Sequence, residues 1–296
     1  LYFLMYNVLI LGCGGMLGGM VERVLSKGNK FNVRSSYQEE KHGSLKFNVE
    51  NGVDELQKIF EDKVGSDYVI NCVGILNSNI DENDPNSVFR AIRINALFPH
   101  ELAILAQEFG VRVIQISTDG VFAKNAALCM EDSPRNCYDV YGKTKSLGEV
   151  ISPNFLNLRC SIIGPSPHLH KGLLEWFLSQ PQKAVVNGYT DQMWNGVTTL
   201  QFADLCRMLI IDNNFDVVRN EAPTHHFCPN EVVTKYKLLQ LFKSYFRPDI
   251  IVKPINNSNN EVSRTLGTNF QKIKKLFEYD HSMRDAIEEL AKEILN

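Results

Sequence analysis

Short apolar segments alternate with amphipathic segments along the first half of the chain. The apolar runs predict buried strands at residues 7–11, 31–33, 68–73, 111–116 and 155–158. Between these runs, apolar residues recur every three or four positions, which predicts helices over residues 16–27, 53–63, 87–109 and 139–151. Because strands that alternate with helices form parallel βαβ units, the pattern predicts an α/β fold with a Rossmann-type doubly wound parallel sheet.

The alternation becomes irregular after Pro165-Ser166-Pro167. Beyond this point, the pattern predicts helices over 173–178, 232–246 and 281–295, with a polar loop at 256–260. His225-His226 is predicted to lie in a strand with one ring packed and the other exposed. We therefore predict a dinucleotide-binding Rossmann domain over 5–160, rejoined by about 190–213. The predicted substrate-binding lobe is a smaller, mostly C-terminal α+β unit over 161–189 and 214–296.

Composition narrows the class of protein. A chain of 296 residues with 44% hydrophobic residues can bury one large core. Its net charge of −3 gives no electrostatic footprint for nucleic acid or an anionic membrane, and no apolar run approaches the ~18 residues that span a bilayer. The seven cysteines are odd in number and include no C-x-x-C pair. This pattern argues against a disulfide framework or a zinc site and favours a reducing, cytoplasmic location.

Two other features affect how the chain is interpreted. Leu1-Tyr2-Phe3 is typical of the remnant of an expression-tag protease site, so we expect the native chain to begin near Met5. His168 and His170 stand in a segment without neighbouring carboxylates, so we predict no metal site.

A glycine-rich turn follows the first predicted strand. Gly12 allows a tight turn, Gly15 lets backbone N–H groups approach a pyrophosphate, and Gly18 permits close packing of helix on strand. Met16 and Leu17 begin the helix whose positive end faces that phosphate. The alternative is an ordinary glycine-rich turn, but the preceding strand and the following amphipathic helix favour dinucleotide binding.

The second predicted strand bears on the choice of cofactor. An acidic residue there would bind the ribose 2′-hydroxyl of NAD, but no carboxylate occurs before Glu39. Arg34 and Ser35 suit a 2′-phosphate, so NADP is favoured and NAD remains possible; Arg34 can equally be a solvated surface side chain. Asn48-Val49 follows another short strand, where an adenine amino group can be hydrogen-bonded.

Tyr141 and Lys145 are four residues apart in a predicted helix and so lie on one face. A neighbouring ammonium favours the phenolate and brings a hydroxyl of free pKa ~10 within reach of proton transfer. Thr118 ends the fifth predicted strand between Ser117 and Asp119, at the edge of the sheet that faces a ligand. We predict Thr118, Tyr141 and Lys145 to be catalytic, with Lys145 also binding the nicotinamide ribose.

Several further residues are candidate ligand contacts. Asn95 can support Lys145 through a water, or be a plain helix-surface residue. Lys171 can contact a substrate phosphate, and Trp194-Asn195 can contact the substrate. Arg159 can bind substrate or pair with a neighbouring carboxylate; the sequence favours neither.

In this order, these residues resemble the extended short-chain dehydrogenase/reductase family. Within it, the chain looks like the dTDP-4-dehydrorhamnose reductase branch, whose sugar-nucleotide-binding members it resembles from Tyr6 onwards. The stretches that carry the resemblance are Gly12–Gly18, Asn71-Cys72-Val73-Gly74, Arg93-Ile94-Asn95-Ala96, Ile116–Phe122, Tyr141–Lys145 with Gly148-Glu149, Leu158-Arg159, Asp191-Gln192, Asn195–Thr198 and His225–Phe227. The chain departs from the branch at Asn48, where aspartate is common, at Gly120, where a larger residue is usual, and at Val197, where proline is usual.

The resemblance implies a function and a site. Members of the branch reduce the 4-keto group of a nucleotide-activated 6-deoxyhexose with NAD(P)H, for polysaccharide or nucleotide-sugar biosynthesis. Their Thr, Tyr and Lys match Thr118, Tyr141 and Lys145 here, and the resemblance adds Cys72, Val73 and Gly74 to the cofactor site. Ser117 and Asp119 are expected on the substrate side, and a homodimer is possible. Two alternatives remain: a nucleotide-sugar epimerase or dehydratase of the same family, and a non-catalytic NADP-binding regulatory subunit.

Overall fold

The protein is described by a computed structural model over residues 5–39, 41, 43–61, 66–166, 172–256 and 264–295. Its strands are β1 Tyr6–Leu11, β2 Phe31–Tyr37, β3 Leu45–Lys46, β4 Tyr68–Asn71, β5 Arg112–Thr118, β6 Leu128–Cys129, β7 Phe155–Cys160, β8 Ile162–Ile163, β9 Val185–Tyr189, β10 Met193–Trp194, β11 Val197–Thr198, β12 Thr224–His226, β13 Val233–Thr234, β14 Ile251–Ile255 and β15 Thr265–Leu266. Its helices are α1 Met16–Leu25, α2 Asp54–Glu61, α3 Pro85–Ile92, α4 Phe98–Phe109, α5 Val140–Leu147, α6 Leu173–Leu178, α7 Thr199–Ile210, α8 Asn214–Glu221, α9 Lys235–Tyr245, α10 Gln271–Leu276 and α11 Met283–Leu295.

The central sheet has seven strands in the order β12-β7-β5-β4-β1-β2-β3, and every pairing within it is parallel. The order reverses direction at β1, because β2 and β3 lie on one side of it and β4, β5 and β7 on the other. Open parallel sheets bind ligands at such a switch point, outside the carboxyl ends of the strands. The predicted fold class is confirmed.

Helices cover both faces of the sheet, as the alternation of side chains along β1 requires. Val8 and Ile10 point to a core that contains Val21 of α1 and Phe202 of α7. Leu9 and Leu11 point to the opposite core, with Leu56 of α2, Phe98 and Leu102 of α4. All four β1 side chains are completely buried, which explains why this strand reads as an unbroken apolar run.

α3 and α4 form one continuous helical segment through a single π-helical turn, Arg93–Leu97. Such turns are frequent at functional sites because they redirect side chains. Asn95 lies in this turn, and only 2% of it is exposed. The alternative of a helix-surface position for Asn95 is therefore wrong.

The C-terminal part builds smaller units around the carboxyl edge of the sheet. β9 and β14 pair in parallel, and α9 packs against both. Two further two-stranded pairs, β6 with β15 and β8 with β11, join this part to the segments that follow β5 and β7, and β10 pairs with β13 within it. The helix predicted from residue 232 begins at Lys235, because residues 233 and 234 pair as β13.

β12 lies in the large sheet, although its sequence position falls in the predicted substrate lobe. It pairs with β7 through His225↔Leu158 and His226↔Arg159. Both histidines are completely buried, so the prediction that one is exposed is wrong. The His225 ring is covered by Phe270 and hydrogen-bonded to the Val218 carbonyl, while the His226 ring packs edge-on against Phe122.

Among the residues that the structure describes, none forms a helix both long and apolar enough to cross a membrane.

Candidate active site

The glycine turn between β1 and α1 closes tightly on itself. Gly12 has a φ of +86°, and its carbonyl accepts a hydrogen bond of 3.0 Å from the Gly15 N–H. A Cβ on Gly18 would collide with that same carbonyl oxygen, so a side chain at this position would push α1 away from β1. Gly15 is the N-cap of α1 and offers no side-chain acceptor. The first N–H groups of the helix are therefore available to a phosphate.

A cleft of about 390 Å³ opens in front of this turn. It is lined by Gly12, Gly14, Gly15, Ser36, Tyr37, Gln38, Glu39, Lys41, Phe47, Val49, Cys72, Val73 and Gly74. A Cβ at Gly12 would stand 3.2 Å from Val73 Cγ2, so the narrow floor of the cleft requires glycine at the turn. Backbone N–H groups, apolar walls and a helix N-terminus suit a dinucleotide.

Six predicted cofactor residues line the cleft, and the others have different surroundings. Gly12, Gly15, Val49, Cys72, Val73 and Gly74 are in the lining. Met16 borders a neighbouring depression on the outer side of α1, and Leu17 and Gly18 are buried against the sheet. Asn48 accepts a hydrogen bond of 3.0 Å from the Glu50 N–H and so caps the helical turn that follows it.

The cofactor-selecting position is shifted along β2 relative to the prediction. β2 runs to Tyr37 rather than ending at Val33, so Arg34 and Ser35 lie inside the strand. The residues that reach the cleft come from the true end of the strand and the segment beyond it, namely Ser36, Tyr37, Gln38, Glu39 and Lys41. Ser36 accepts the Gly12 N–H, and the Lys41 ammonium lies 4.2 Å from the centre of the Tyr37 ring. The polar run Arg34-Ser35-Ser36 conceals the strand from a periodicity argument, because only its pairing with β1 and β3 makes it extended.

Thr118, Tyr141 and Lys145 converge at the carboxyl end of β5. The Tyr141 ring lies beside Thr118, the last residue of the strand, with Gly120 between them. Lys145 directs its ammonium to the carbonyl oxygen of Ile116, 2.9 Å away. The three predicted catalytic side chains thus meet at one strand end, and Lys145 Nζ lies close to Gly74 of the cofactor cleft.

Burial dominates the electrostatics of the two titratable members. It raises the pKa of Tyr141 to about 12, and among the groups around the ring the hydrogen bond with Thr118 opposes that rise most strongly. Burial lowers the pKa of Lys145 to about 8, while the negative charge of Glu149 opposes this fall. In the free protein the phenol is therefore protonated at neutral pH, which is the form that a proton donor needs. The spacing predicts that Lys145 lowers the pKa of Tyr141. The structure shows that the Lys145 charge is not among the leading influences on that pKa.

Asn95 braces the floor of the site. Its side chain accepts from the Ile75 N–H and donates to the Ile75 carbonyl, both at 3.0 Å, and its amide also lies 3.3 Å from the Thr144 hydroxyl. These bonds tie the loop after β4 to α5, which carries Tyr141 and Lys145. Asn95 thus connects the cofactor cleft to the catalytic helix.

Gly120 leaves space between the catalytic hydroxyls. A Cβ there would stand 3.1 Å from Tyr141 Cε1 and 3.2 Å from Thr118 Oγ1. The Gly120 N–H also donates to Thr118 Oγ1 at 3.0 Å, which fixes the rotamer of that hydroxyl. From the sequence, Gly120 is known only as a position where the dTDP-4-dehydrorhamnose reductase branch usually has a larger residue.

Four residues that are predicted to contact substrate instead form hydrogen bonds with other groups of the protein. Ser117 and Arg159 both bind the buried carboxylate of Glu149, so carboxylate pairing is the alternative that the structure shows for Arg159. The Trp194 indole N–H donates to Ser161 Oγ at 2.8 Å. Asn195 pairs in both directions with the backbone of Leu266, at 2.8 and 3.0 Å. Lys171, like His168 and His170, lies outside the described residues.

Asp119, the residue after Thr118, lies near two cations that the sequence does not single out. Arg264 forms an ion pair with it at 3.5 Å and donates to the Phe122 carbonyl at 3.1 Å. Burial raises the pKa of Asp119, and the Arg264 charge opposes that rise. Lys235, at the start of α9, also influences Asp119. More than 100 residues separate these partners in sequence, so no local pattern could have indicated them.

Solved structures of similar fold come from sugar-nucleotide enzymes. A dTDP-4-dehydrorhamnose reductase from Clostridium acetobutylicum is similar over 98% of this chain and 100% of its own, with a TM-score of 0.72 and 20% identity. A dTDP-4-dehydrorhamnose reductase from Bacillus anthracis in complex with NADP is similar over 98% and 99%, with a TM-score of 0.76 and 16% identity.

The sequence is also similar to a protein that is not named as a reductase. Methionine adenosyltransferase 2 subunit beta of Bos taurus is 26% identical over 263 residues, which are 85% of this chain and 76% of that protein. The family match is broader, since residues 6–288 match the RmlD substrate binding domain. The resemblance carried by the glycine turn, the Thr118 strand end and the Tyr141–Lys145 helix is thereby confirmed: the chain belongs to the RmlD substrate binding domain family.

Proposed function

We propose that this protein is an NAD(P)H-dependent reductase of the 4-keto group of a nucleotide-activated 6-deoxyhexose. The observation that carries the proposal is the convergence of Thr118 and Tyr141, with Lys145 beside them, at a strand end next to the glycine-turn cleft. Family membership and the likeness to dTDP-4-dehydrorhamnose reductases support the substrate class. A role in polysaccharide or nucleotide-sugar biosynthesis is the corresponding expectation.

The residues divide the chemistry among them. When bound, NAD(P)H would supply a hydride from its dihydronicotinamide, and the N–H groups of the glycine turn would hold its pyrophosphate. Tyr141 donates its proton to the oxygen of the ketone as the carbon is reduced. Thr118 donates a hydrogen bond to the same oxygen, and Lys145 holds ribose hydroxyls and favours the phenolate that remains. Fixing donor and substrate in one orientation contributes about 7–11 kcal/mol in well-ordered systems.

The end of β2 favours NADP over NAD. Lys41 stands on the Tyr37 ring at the cleft, and Ser36 presents its hydroxyl there. A cation and a hydroxyl suit a 2′-phosphate. Glu39 also borders the cleft, but it is exposed and lies beyond the strand. We expect tighter binding of NADPH than of NADH, measured by quenching of tryptophan fluorescence.

The epimerase and dehydratase alternative fits the site less well. Dehydratases of the larger family carry an Asp-Glu pair after the catalytic threonine, whereas here Gly120 follows Asp119 and offers no second acid. These enzymes also regenerate their cofactor in a closed cycle and retain it. Purified protein that carries stoichiometric nicotinamide and converts a sugar nucleotide without net NADPH loss would favour this alternative.

A panel of substrates tests the proposal. NADPH or NADH is offered with dTDP-, UDP- and GDP-linked 4-keto-6-deoxyhexoses, and the absorbance of the reduced nicotinamide is followed. Tyr141→Phe should lower kcat by about 100-fold or more while cofactor affinity stays unchanged, because it removes only the proton donor. The matched control is Tyr138→Phe, three residues earlier and 84% exposed, which should keep full activity. Retained turnover in Tyr141→Phe would contradict the assignment of the proton donor.

The second candidate, a regulatory subunit, is favoured by the likeness to subunit beta of methionine adenosyltransferase 2. The intact Thr118, Tyr141 and Lys145 arrangement argues for chemistry instead. Two assays distinguish the reductase from the regulatory subunit. The second proposal replaces the first if NADPH is not consumed with any keto sugar and if adding this protein changes the rate of a methionine adenosyltransferase.

A further inference from the structure

A buried carboxylate lies directly behind the catalytic strand end. Glu149 follows α5, and only 2% of its side chain is exposed. Its two oxygens receive Arg159 Nε and Nη2 at 2.7 and 2.8 Å, the Ser117 hydroxyl at 2.6 Å and Arg135 Nη1 at 3.1 Å. Burying a charge in this way is favourable only when nearly every lone pair is satisfied, as it is here.

This carboxylate joins three elements at the level of Thr118. Ser117 precedes Thr118 on β5 and pairs in register with Arg159 on β7. Glu149 binds both and thereby fixes the end of α5 against the two strands. On the other side, a Cβ at Gly148 would collide with the Asn95 carbonyl, so the helix end is also in close contact with the π-helical turn.

Lys145 and Glu149 form hydrogen bonds with consecutive residues of β5. The Lys145 ammonium donates to the carbonyl of Ile116, and the Glu149 carboxylate accepts from Ser117, the next residue. Lys145 reaches the strand from the last turn of α5, and Glu149 reaches it from two residues beyond the end of that helix. Lys145 is 6% exposed and the Glu149 side chain is 2% exposed, so the interaction between their charges has little solvent screening.

We propose that Glu149 is a positioning residue for the reaction, one that holds the Lys145 side chain as an ammonium and locks α5 in register with Thr118. It acts through Lys145 and does not itself contact substrate or cofactor. The inference rests on the proposed function for its catalytic consequence, although the charge on Lys145 can be measured without any ligand.

The charged and titratable groups that face Lys145 support this assignment. They are Glu149 after α5, Cys160 on β7 and Cys72 after β4. Burial raises the pKa of both thiols, so both are neutral near pH 7. Burial alone would raise the pKa of Glu149, but hydrogen bonds from Arg159 and Ser117 lower it, so it is ionised. Glu149, although paired with Arg159, is thus the ionised carboxylate whose charge raises the pKa of Lys145.

Two substitutions separate a charge effect from a structural one. Glu149→Gln and Arg159→Met both break the same ion pair, but they change the local charge in opposite directions. In Glu149→Gln we expect the pKa of Lys145 to fall by about one pH unit, because a nearby negative charge is lost. In Arg159→Met we expect that pKa not to fall, because the negative charge remains. A purely structural role would move it equally in both, and that result would overturn the proposal.

The measurement is a pH titration of ¹³Cε-labelled lysines by NMR, with the Lys145 resonance identified by its absence in Lys145→Met. Glu289→Gln, an exposed change on α11, is the control and should leave the titration unaltered. If Glu149→Gln does not fold, Arg135→Gln tests the same idea from the half-exposed side of the pair. It should raise the pKa of Lys145, because Glu149 is then less neutralised, and an unchanged pKa would overturn the proposal.

A kinetic readout connects the charge to catalysis. In Glu149→Gln, kcat with NADPH should fall more at pH 8 than at pH 6.5, whereas a loosened fold would lower it equally at both. If the wild-type protein binds NADPH but reduces no keto sugar, the proposed function fails, and the lysine titration still decides the role of Glu149.

Discussion

Replacing Lys145 by methionine should make the protein more stable. Burial lowers the pKa of this lysine from 10.5 to about 8. Since each pH unit between folded and unfolded pKa corresponds to about 1.4 kcal/mol, the buried ammonium lowers the free energy of unfolding by about 3 kcal/mol at neutral pH. Methionine has a similar length and no charge. The hydrogen bond to the Ile116 carbonyl is lost, at about 1 kcal/mol, but Gln115 Nε2 still donates to that oxygen at 3.1 Å. The net expectation is about 2 kcal/mol of added stability at pH 7.

The pH dependence identifies the cause. Between about pH 8 and 10.5 the unfolded chain holds a proton on Lys145 that the folded chain has released, so the wild type gains stability relative to Lys145→Met as pH rises. The advantage of the variant is complete below pH 8 and fades above it. Buried cysteines, whose raised pKa values destabilise the fold at alkaline pH, are present in both proteins, so their contribution cancels.

The assay is urea unfolding at pH 7 and at pH 9.5 under reducing conditions, followed by the fluorescence of Trp176 and Trp194. Lys143→Met is the control, because Lys143 is exposed on the same helix and its replacement should change stability little at either pH. The reasoning is refuted if Lys145→Met is no more stable than the wild type at pH 7, or if its advantage does not shrink with pH. A more stable but inactive variant would show that the site is maintained at the expense of stability.

Further changes test the remaining geometry. Gly120→Ala should lower kcat about 10- to 100-fold in steady-state assays with NADPH affinity preserved, because its Cβ would separate Thr118 from Tyr141; a kcat within twofold of wild type would contradict this. Asn95→Ala should lower the free energy of unfolding in urea by about 2–3 kcal/mol, since it leaves the Ile75 N–H and carbonyl unpaired. Gly18→Ala should weaken NADPH binding in a fluorescence titration, as α1 is displaced by the Gly12 carbonyl; unchanged affinity would separate that contact from the cofactor site. The rate of reduction should fall as pH rises through about 8, where Lys145 loses its proton, while Tyr141 stays protonated to about pH 12; a profile flat to pH 10 would show that the lysine charge is not needed.

Local pattern determined much of this protein. The alternation of apolar runs and helical periods is set by burial within each element, so it gave the parallel sheet and the helices on its two faces. The turn from Gly12 to Gly18 and the spacing of Tyr141 and Lys145 are likewise short-range features. Each requires only its own few residues to define a conformation or a shared helical face, which is why they could be identified without a structure.

Contacts between distant segments decided the rest. Ser117 and Thr118 are adjacent and both hydroxyl-bearing, yet alternation along β5 turns one to Glu149 and the other to Tyr141. Arg159 belongs to the buried ion pair only because β7 lies beside β5 with the end of α5 above both. β2 extends through Arg34 because of its neighbours, and β12 joins the sheet from a segment that the sequence places in the second lobe. Propensity acts over a few residues, whereas strand pairing and buried charge depend on what folds alongside, so only the tertiary structure could assign these side chains.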